Sequence, residues 1–89
     1  YIMDEPEAAL SPQRQLALLT RLHESAARGA QFIIATHSPI LLALPGATIL
    51  DFGGDVIRPI EYEDTDSYRV LGLFINHRDA VLRRLFADE

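Results

Sequence analysis

Tyr1-Ile2-Met3-Asp4-Glu5-Pro6 opens on a short apolar run without polar alternation and closes on adjacent carboxylates and a proline. Unbroken apolar character is the pattern of a strand covered on both faces, as in a parallel sheet. Pro6 stops the pairing because it has no N–H to donate. After a loop over 7–10, Ser11-Pro12 sets a helix start. Serine serves as N-cap, and proline stands at the first helical position, where its missing N–H costs nothing. Leu16, Leu19, Leu22 and Ala26 recur at near-helical spacing, with Leu18 widening the stripe, and Arg28-Gly29 supplies a cation and a left-handed cap at the end. Phe32-Ile33-Ile34-Ala35 is a second apolar run, β-branched and aromatic, leading into Thr36-His37-Ser38-Pro39.

Strand, helix, strand with short connections predicts a right-handed crossover and a parallel pair. Ligands in such sheets sit at the carboxyl ends of the strands. Asp4-Glu5 and Thr36-His37-Ser38 both fall at those ends, so they are expected on one rim.

Farther along, Ser38-Pro39 repeats the N-cap and proline device and predicts a short helix through Ile40 to Leu44, ended by Pro45-Gly46. Residues 48–52 and 56–58 flank Gly53-Gly54-Asp55, a hairpin signal. Polar residues 61–66 connect to two predicted helices, one over 68–75 and one from an Asn76 cap through Leu85. The predicted fold is α/β: a short, mainly parallel sheet with flanking helices and a hairpin. Residues 1–89 form one domain, with a core over 1–60 and a helical segment over 61–89.

Composition narrows the function classes. The net charge is -5 and the chain has no lysine, so it lacks the cationic cluster that phosphate neutralisation by a free-standing nucleic-acid binder requires. Arg83-Arg84 reads as a solvated helix face. No cysteine is present, which excludes a disulfide framework or a thiolate metal site and fits a reducing cytoplasm. The apolar run Ile40 to Leu44 is far short of the roughly 20 residues a membrane span needs.

The rim carries the chemistry. Paired carboxylates beside an apolar core are costly unless a cation or hydrogen bonds compensate. A magnesium ion shared with water and phosphate oxygens is one compensation. Solvation of both groups at a strand end is the other explanation. Neighbours on a strand point to opposite sides, so Asp4 and Glu5 are expected to do different work. His37 alone is as readily an imidazole bonded to a backbone carbonyl. His23 reads as packing at a helix boundary and His77 as exposed. Tyr62 and Tyr68 flank acidic residues, which disfavours stacking on nucleic acid.

Taken together, these strings resemble a known family. Tyr1-Ile2-Met3-Asp4-Glu5-Pro6 resembles the Walker B strand of ABC-type ATPases, Leu10-Ser11-Pro12 falls where those proteins have the D-loop, and His37 matches their switch histidine in the H-loop. Asp-Glu-Pro-Glu and Thr-His-Ser-Pro are most similar to bacterial AAA-type predicted ATPases and overcoming-lysogenisation-type ATPases. The resemblance implies the C-terminal part of a P-loop NTPase domain that binds ATP and Mg²⁺. Asp4 would hold Mg²⁺, Glu5 would be the general base, and His37 would contact the γ-phosphate. It also implies a cytoplasmic protein, a homodimer through the nucleotide sites, and work on nucleic acid or in defence rather than in transport.

Ser11 stands where many cassettes have the D-loop aspartate, and Glu7 replaces the small polar residue of transporters. No G-x-x-x-x-G-K-[ST] loop occurs, and Gly53-Gly54 lacks both the lysine and the spacing. The signature segment is absent as well. Tyr1-Ile2-Met3 reads as a strand already under way, so the expected partner is a missing N-terminal part of the same domain. The rival expectation is a non-catalytic dimerisation or regulatory module derived from such a cassette. Without a glycine-rich phosphate cradle, the 89-residue chain is expected neither to retain ATP in equilibrium dialysis nor to release phosphate from it.

Overall fold

Strand β1 (Ile2–Asp4) and strand β2 (Ile33–Ala35) pair in parallel, with Ile2 opposite Ile33, Met3 opposite Ile34 and Asp4 opposite Ala35. Helix α1 (Pro12–Ala27) makes the crossover between them. The computed structural model describes residues 1–87 and divides into two units, Tyr1–Ile49 and Leu50–Glu89. The boundary between the units falls within the first strand of the predicted hairpin. Nothing else in the first unit is as regular as the β1–α1–β2 motif.

The start of α1 follows its sequence signals. Ser11 is the N-cap, its side chain accepting from the Arg14 N–H at 3.2 Å, and Pro12 is the first helical residue. Arg28 caps the other end, and Gly29 takes φ +99°, a conformation that favours glycine. Of the apolar stripe, Leu22 is buried, Leu18 and Leu19 are half-buried, and Leu16 stands exposed.

Ser38 is the polar hub beyond β2. It is buried, donates its hydroxyl to Gln15 Oε1 at 2.5 Å, and accepts from the N–H groups of Ile40 and Leu41, each at 3.2 Å. The helix predicted from Ser38-Pro39 is only a 3₁₀ turn over Leu41–Ala43, which places the buried Leu41. Pro45-Gly46 ends it as expected, with Gly46 at φ +80°. A single 3₁₀ turn suffices here because Ser38 satisfies the first free N–H groups.

One expectation is corrected. The apolar runs predict strands covered on both faces, yet only Met3, Phe32 and Ile34 are half-buried. Ile2 is 84% exposed and Ile33 64% exposed, side by side on the opposite face. Covering a residue of this kind stabilises a protein by about 1.5–3 kcal/mol. That stabilisation is not realised within the described residues.

Farther along the chain, β3 (Ile49–Asp51) and β4 (Arg58–Ile60) form a separate two-stranded sheet. The second strand begins later than predicted. The Asp51 carboxylate takes the Gly53 N–H at 3.0 Å, and a wide loop over 52–57 replaces the tight turn, leaving Val56 and Ile57 exposed. Helix α2 (Asp66–Asn76) starts earlier than predicted because Thr65, buried behind Tyr62, accepts from the Tyr68 N–H at 3.2 Å. Asn76 is therefore not a cap. It belongs to the last turn of α2, donating to the Gly72 carbonyl at 2.9 Å, and helix α3 (Arg78–Leu85) starts after His77. Tyr62 and Tyr68 meet edge to face, ring centres 5.0 Å apart.

Ser38→Ala would orphan the buried Leu41 N–H, the half-buried Ile40 N–H and the Gln15 oxygen, whereas Ser11→Ala loses one exposed capping bond. We expect Ser38→Ala to cost about 1–3 kcal/mol and Ser11→Ala about 0.5–1 kcal/mol, measured as shifts of the urea midpoint.

Candidate functional site

The β1–β2 register brings the two polar clusters to one rim, as the topology predicts. Asp4 is the last residue of β1, level with Ala35. One further bond extends the ladder: the Glu5 N–H donates to the Ala35 carbonyl at 2.7 Å. Thr36 and His37 follow directly, so residues distant in sequence become neighbours.

Glu5 has an unusual backbone. Its φ is +46°, the one positive φ at a non-glycine position among the described residues. A left-handed conformation costs an ordinary L-residue about 1–2 kcal/mol. It persists because the chain is held on either side of it. The N–H is fixed to β2, and the Glu5 carbonyl accepts from the Ala8 N–H at 3.1 Å, closing a turn with Pro6 at its second position. Glu5 is therefore not a strand residue pointing opposite to Asp4. It leaves the strand through a sharp bend that aims its carboxylate toward β2. Such outliers cluster at functional sites, where surrounding structure over-determines them.

The bend brings Glu5 Oε1 to 3.5 Å from His37 Nδ1, at the outer limit of a hydrogen bond. Both side chains are open to solvent, with the imidazole 87% and the carboxylate 55% exposed. An ion pair this exposed adds little stability. Its significance is positional: a potential base and a potential donor face the same volume of solvent.

Asp4 lies on the same face as Ile2 and Ile33, and its carboxylate is exposed and makes no hydrogen bond or ion pair among the described residues. An oxygen donor of this kind suits Mg²⁺, which binds hard oxygen ligands and keeps most of its waters. No group of three or more His, Asp or Glu able to enclose a metal occurs among the described residues. Asp4 thus fits a cation shared with a phosphate and water better than a protein-only cage.

Glu7, marked in the sequence only as a departure from the resembling family, and Gln15, not marked at all, are structural members of the rim. Glu7 Oε2 accepts the His37 backbone N–H at 3.3 Å. Burial works to raise the Glu7 pKa. The Thr36 side chain, the Glu7 and His37 backbone N–H groups and the His37 charge act the other way and leave it lowered. Gln15 links the expected D-loop to the same turn, donating to the Leu10 carbonyl at 3.1 Å while accepting from Ser38. Leu10 is half-buried, and Ser11 and Pro12 are exposed at the head of α1. A long-range polar pair has no periodicity, so nothing in the sequence announced what either residue would bond to. His23 is exposed rather than packed at a boundary, and His77 is exposed as expected.

A family model for AAA domains, described with the AbiEii toxin and type IV TA systems, matches residues 1–43. The matched segment contains β1, α1, β2 and the 3₁₀ turn, and so the whole rim. This supports a P-loop, AAA-type ATPase domain, a kind that generally binds nucleotide and Mg²⁺. No curated protein and no solved structure matches the chain. No helix among the described residues is long and apolar enough to cross a membrane.

The Glu5 backbone makes a prediction independent of any activity. Glu5→Gly removes the left-handed penalty at some cost in unfolded-chain entropy and should leave stability unchanged or higher by up to about 1 kcal/mol. Glu5→Val, β-branched at the same φ, should lose about 1–2 kcal/mol. Paired urea melts check the order of the two.

Proposed function

We propose that this chain supplies the carboxylate and switch-histidine side of an ATP-hydrolysing site in an ABC-type ATPase domain. The observation that carries the proposal is the approach of Glu5 to His37 on the rim of the parallel pair, inside the segment that matches an AAA domain. Asp4 is the residue that would hold Mg²⁺, an ion that screens phosphate charge when bound. Glu5 is the general base, oriented by its left-handed bend toward the solvent volume in front of β2. His37, beside it, is placed to contact the γ-phosphate. Positioning and charge neutralisation supply most of the rate in phosphoryl transfer, which suits a rim whose side chains are exposed but whose backbone is tied down.

The reading also implies what must lie opposite the rim. A phosphate-binding loop and a signature segment would come from elsewhere in the parent domain and from a second copy. Leu10, Ser11 and Pro12 would face that copy. A cytoplasmic protein acting in nucleic-acid maintenance or defence fits the family better than a transporter. The open Ile2–Ile33 face and the unpaired strand edges also suit a dimerisation or regulatory module without catalysis.

In the protein that carries the phosphate-binding loop, Glu5→Gln should leave ATP binding intact while lowering hydrolysis about 10²–10⁴-fold. ATP binding by dialysis and phosphate release measure the two separately. Hydrolysis undiminished in Glu5→Gln removes Glu5 as the base, and a parent that never binds nucleotide leaves the dimerisation module.

A further inference from the structure

We infer that Glu7 is the positioning residue of this site: its carboxylate holds the backbone at His37 and thereby sets the imidazole against Glu5. The inference rests on the ATPase reading for its consequence in catalysis, but the hold on His37 stands on geometry alone. Glu7 lies in the turn that follows Glu5, where the Leu10 N–H donates to its carbonyl at 2.8 Å. That bond fixes its main chain and leaves the side chain to reach across to β2. There Oε2 takes the His37 N–H at 3.3 Å.

The side chain is half-buried, and Oε1 is sealed from solvent without a hydrogen bond of good geometry. A carboxylate in that position is costly unless the groups around it favour its charge. They do so here. Thr36 Oγ1 accepts the Ser38 N–H at 3.0 Å, which leaves its own proton available to the carboxylate. Two residues of the turn after β2 are thereby tied by hydrogen bonds, His37 to Glu7 and Ser38 to Thr36 and Gln15, while the Thr36 side chain favours the charged form of Glu7.

His37 needs such a hold. Its ring is 87% exposed, and among the described residues its one side-chain hydrogen bond or ion pair is the long approach to Glu5. Packing therefore does not set the ring, and its position follows the main chain that carries it. Glu7 touches none of the reacting groups and acts through that main chain. A displacement of about 1 Å can cost about a hundredfold in rate, so loosening the His37 backbone should lower kcat and leave KM nearly unchanged.

Two variants and two measurements test this. Glu7→Ala removes the acceptor, whereas Glu7→Gln keeps a carbonyl oxygen of the same reach. In the 89-residue chain, hydrogen exchange of the His37 amide should quicken about five- to tenfold in Glu7→Ala and stay near the parent rate in Glu7→Gln. In the intact ATPase, Glu7→Ala should lower kcat about ten- to a hundredfold at nearly constant KM, and Glu7→Gln should recover most of it. Unchanged His37 exchange in Glu7→Ala overturns the inference. So does a Glu7→Gln variant as impaired as Glu7→Ala, which would assign the carboxylate a role through its charge. Global destabilisation is recognised when amides of α1 quicken alongside His37, and that outcome also overturns it. If the intact protein hydrolyses no ATP at all, the ATPase reading fails while the exchange result still decides whether Glu7 holds His37.

Discussion

The bond from the Glu5 N–H to the Ala35 carbonyl, 2.7 Å long, is the constraint on which the rim depends. It adds one rung to a ladder of very short strands and does so at the point where β1 is already bending away. Without that rung the Ala8 N–H on the Glu5 carbonyl would be the one bond left holding the left-handed backbone, and the Glu5 carboxylate would lose its fixed approach to His37. Thr36 and His37 follow Ala35 directly, so the same rung fixes where the second cluster begins. A loop closure that would otherwise be entropically costly is carried by the hydrogen-bonded pair and by the α1 crossover.

The supporting polar contacts extend outward from that rung. Glu7 reaches the His37 N–H, Gln15 joins the Leu10 carbonyl to the Ser38 hydroxyl, and Ser38 caps the turn that seats Leu41. Glu7 and Gln15 reach from the β1–α1 connection and the head of α1 to tie down the segment after β2, and Ser38 caps that segment from within. The chemistry-bearing groups Asp4, Glu5 and His37 remain exposed while their backbones are fixed. Such a division lets a site meet a ligand in water with little motion of its own frame.

How much of this was legible in the sequence depended on whether the signal was local. Helix α1 was legible because Ser11-Pro12 and Gly29 act within a turn of the residues they cap. The shared rim was legible because crossover topology leaves few ways to place two apolar runs. The start of α2 was not, since what sets it is the burial of Thr65 beside Tyr62, a contact that no local pattern announces. The β3–β4 connection misled because Val56 and Ile57 look like strand residues, whereas the Asp51 carboxylate opens the turn before them. The left-handed Glu5 gave no signal, as glutamate is not a residue that favours it. Glu7 was visible only as a departure from a resembling family, because its partner lies on another element.

The open face of Ile2 and Ile33 has a thermal consequence. The heat-capacity change of unfolding, about 12–15 cal/mol/K per residue in ordinary globular proteins, comes mainly from apolar surface newly exposed to water. Here Ile2 and Ile33 meet water in the folded chain already, and among the described residues only Leu22 and Leu41 are buried as core. Unfolding therefore adds little new apolar surface. The stability curve of the chain is correspondingly shallow, with a broad melting transition. Whatever covers that face would add buried surface, and with it the curvature and cooperativity of a larger fold.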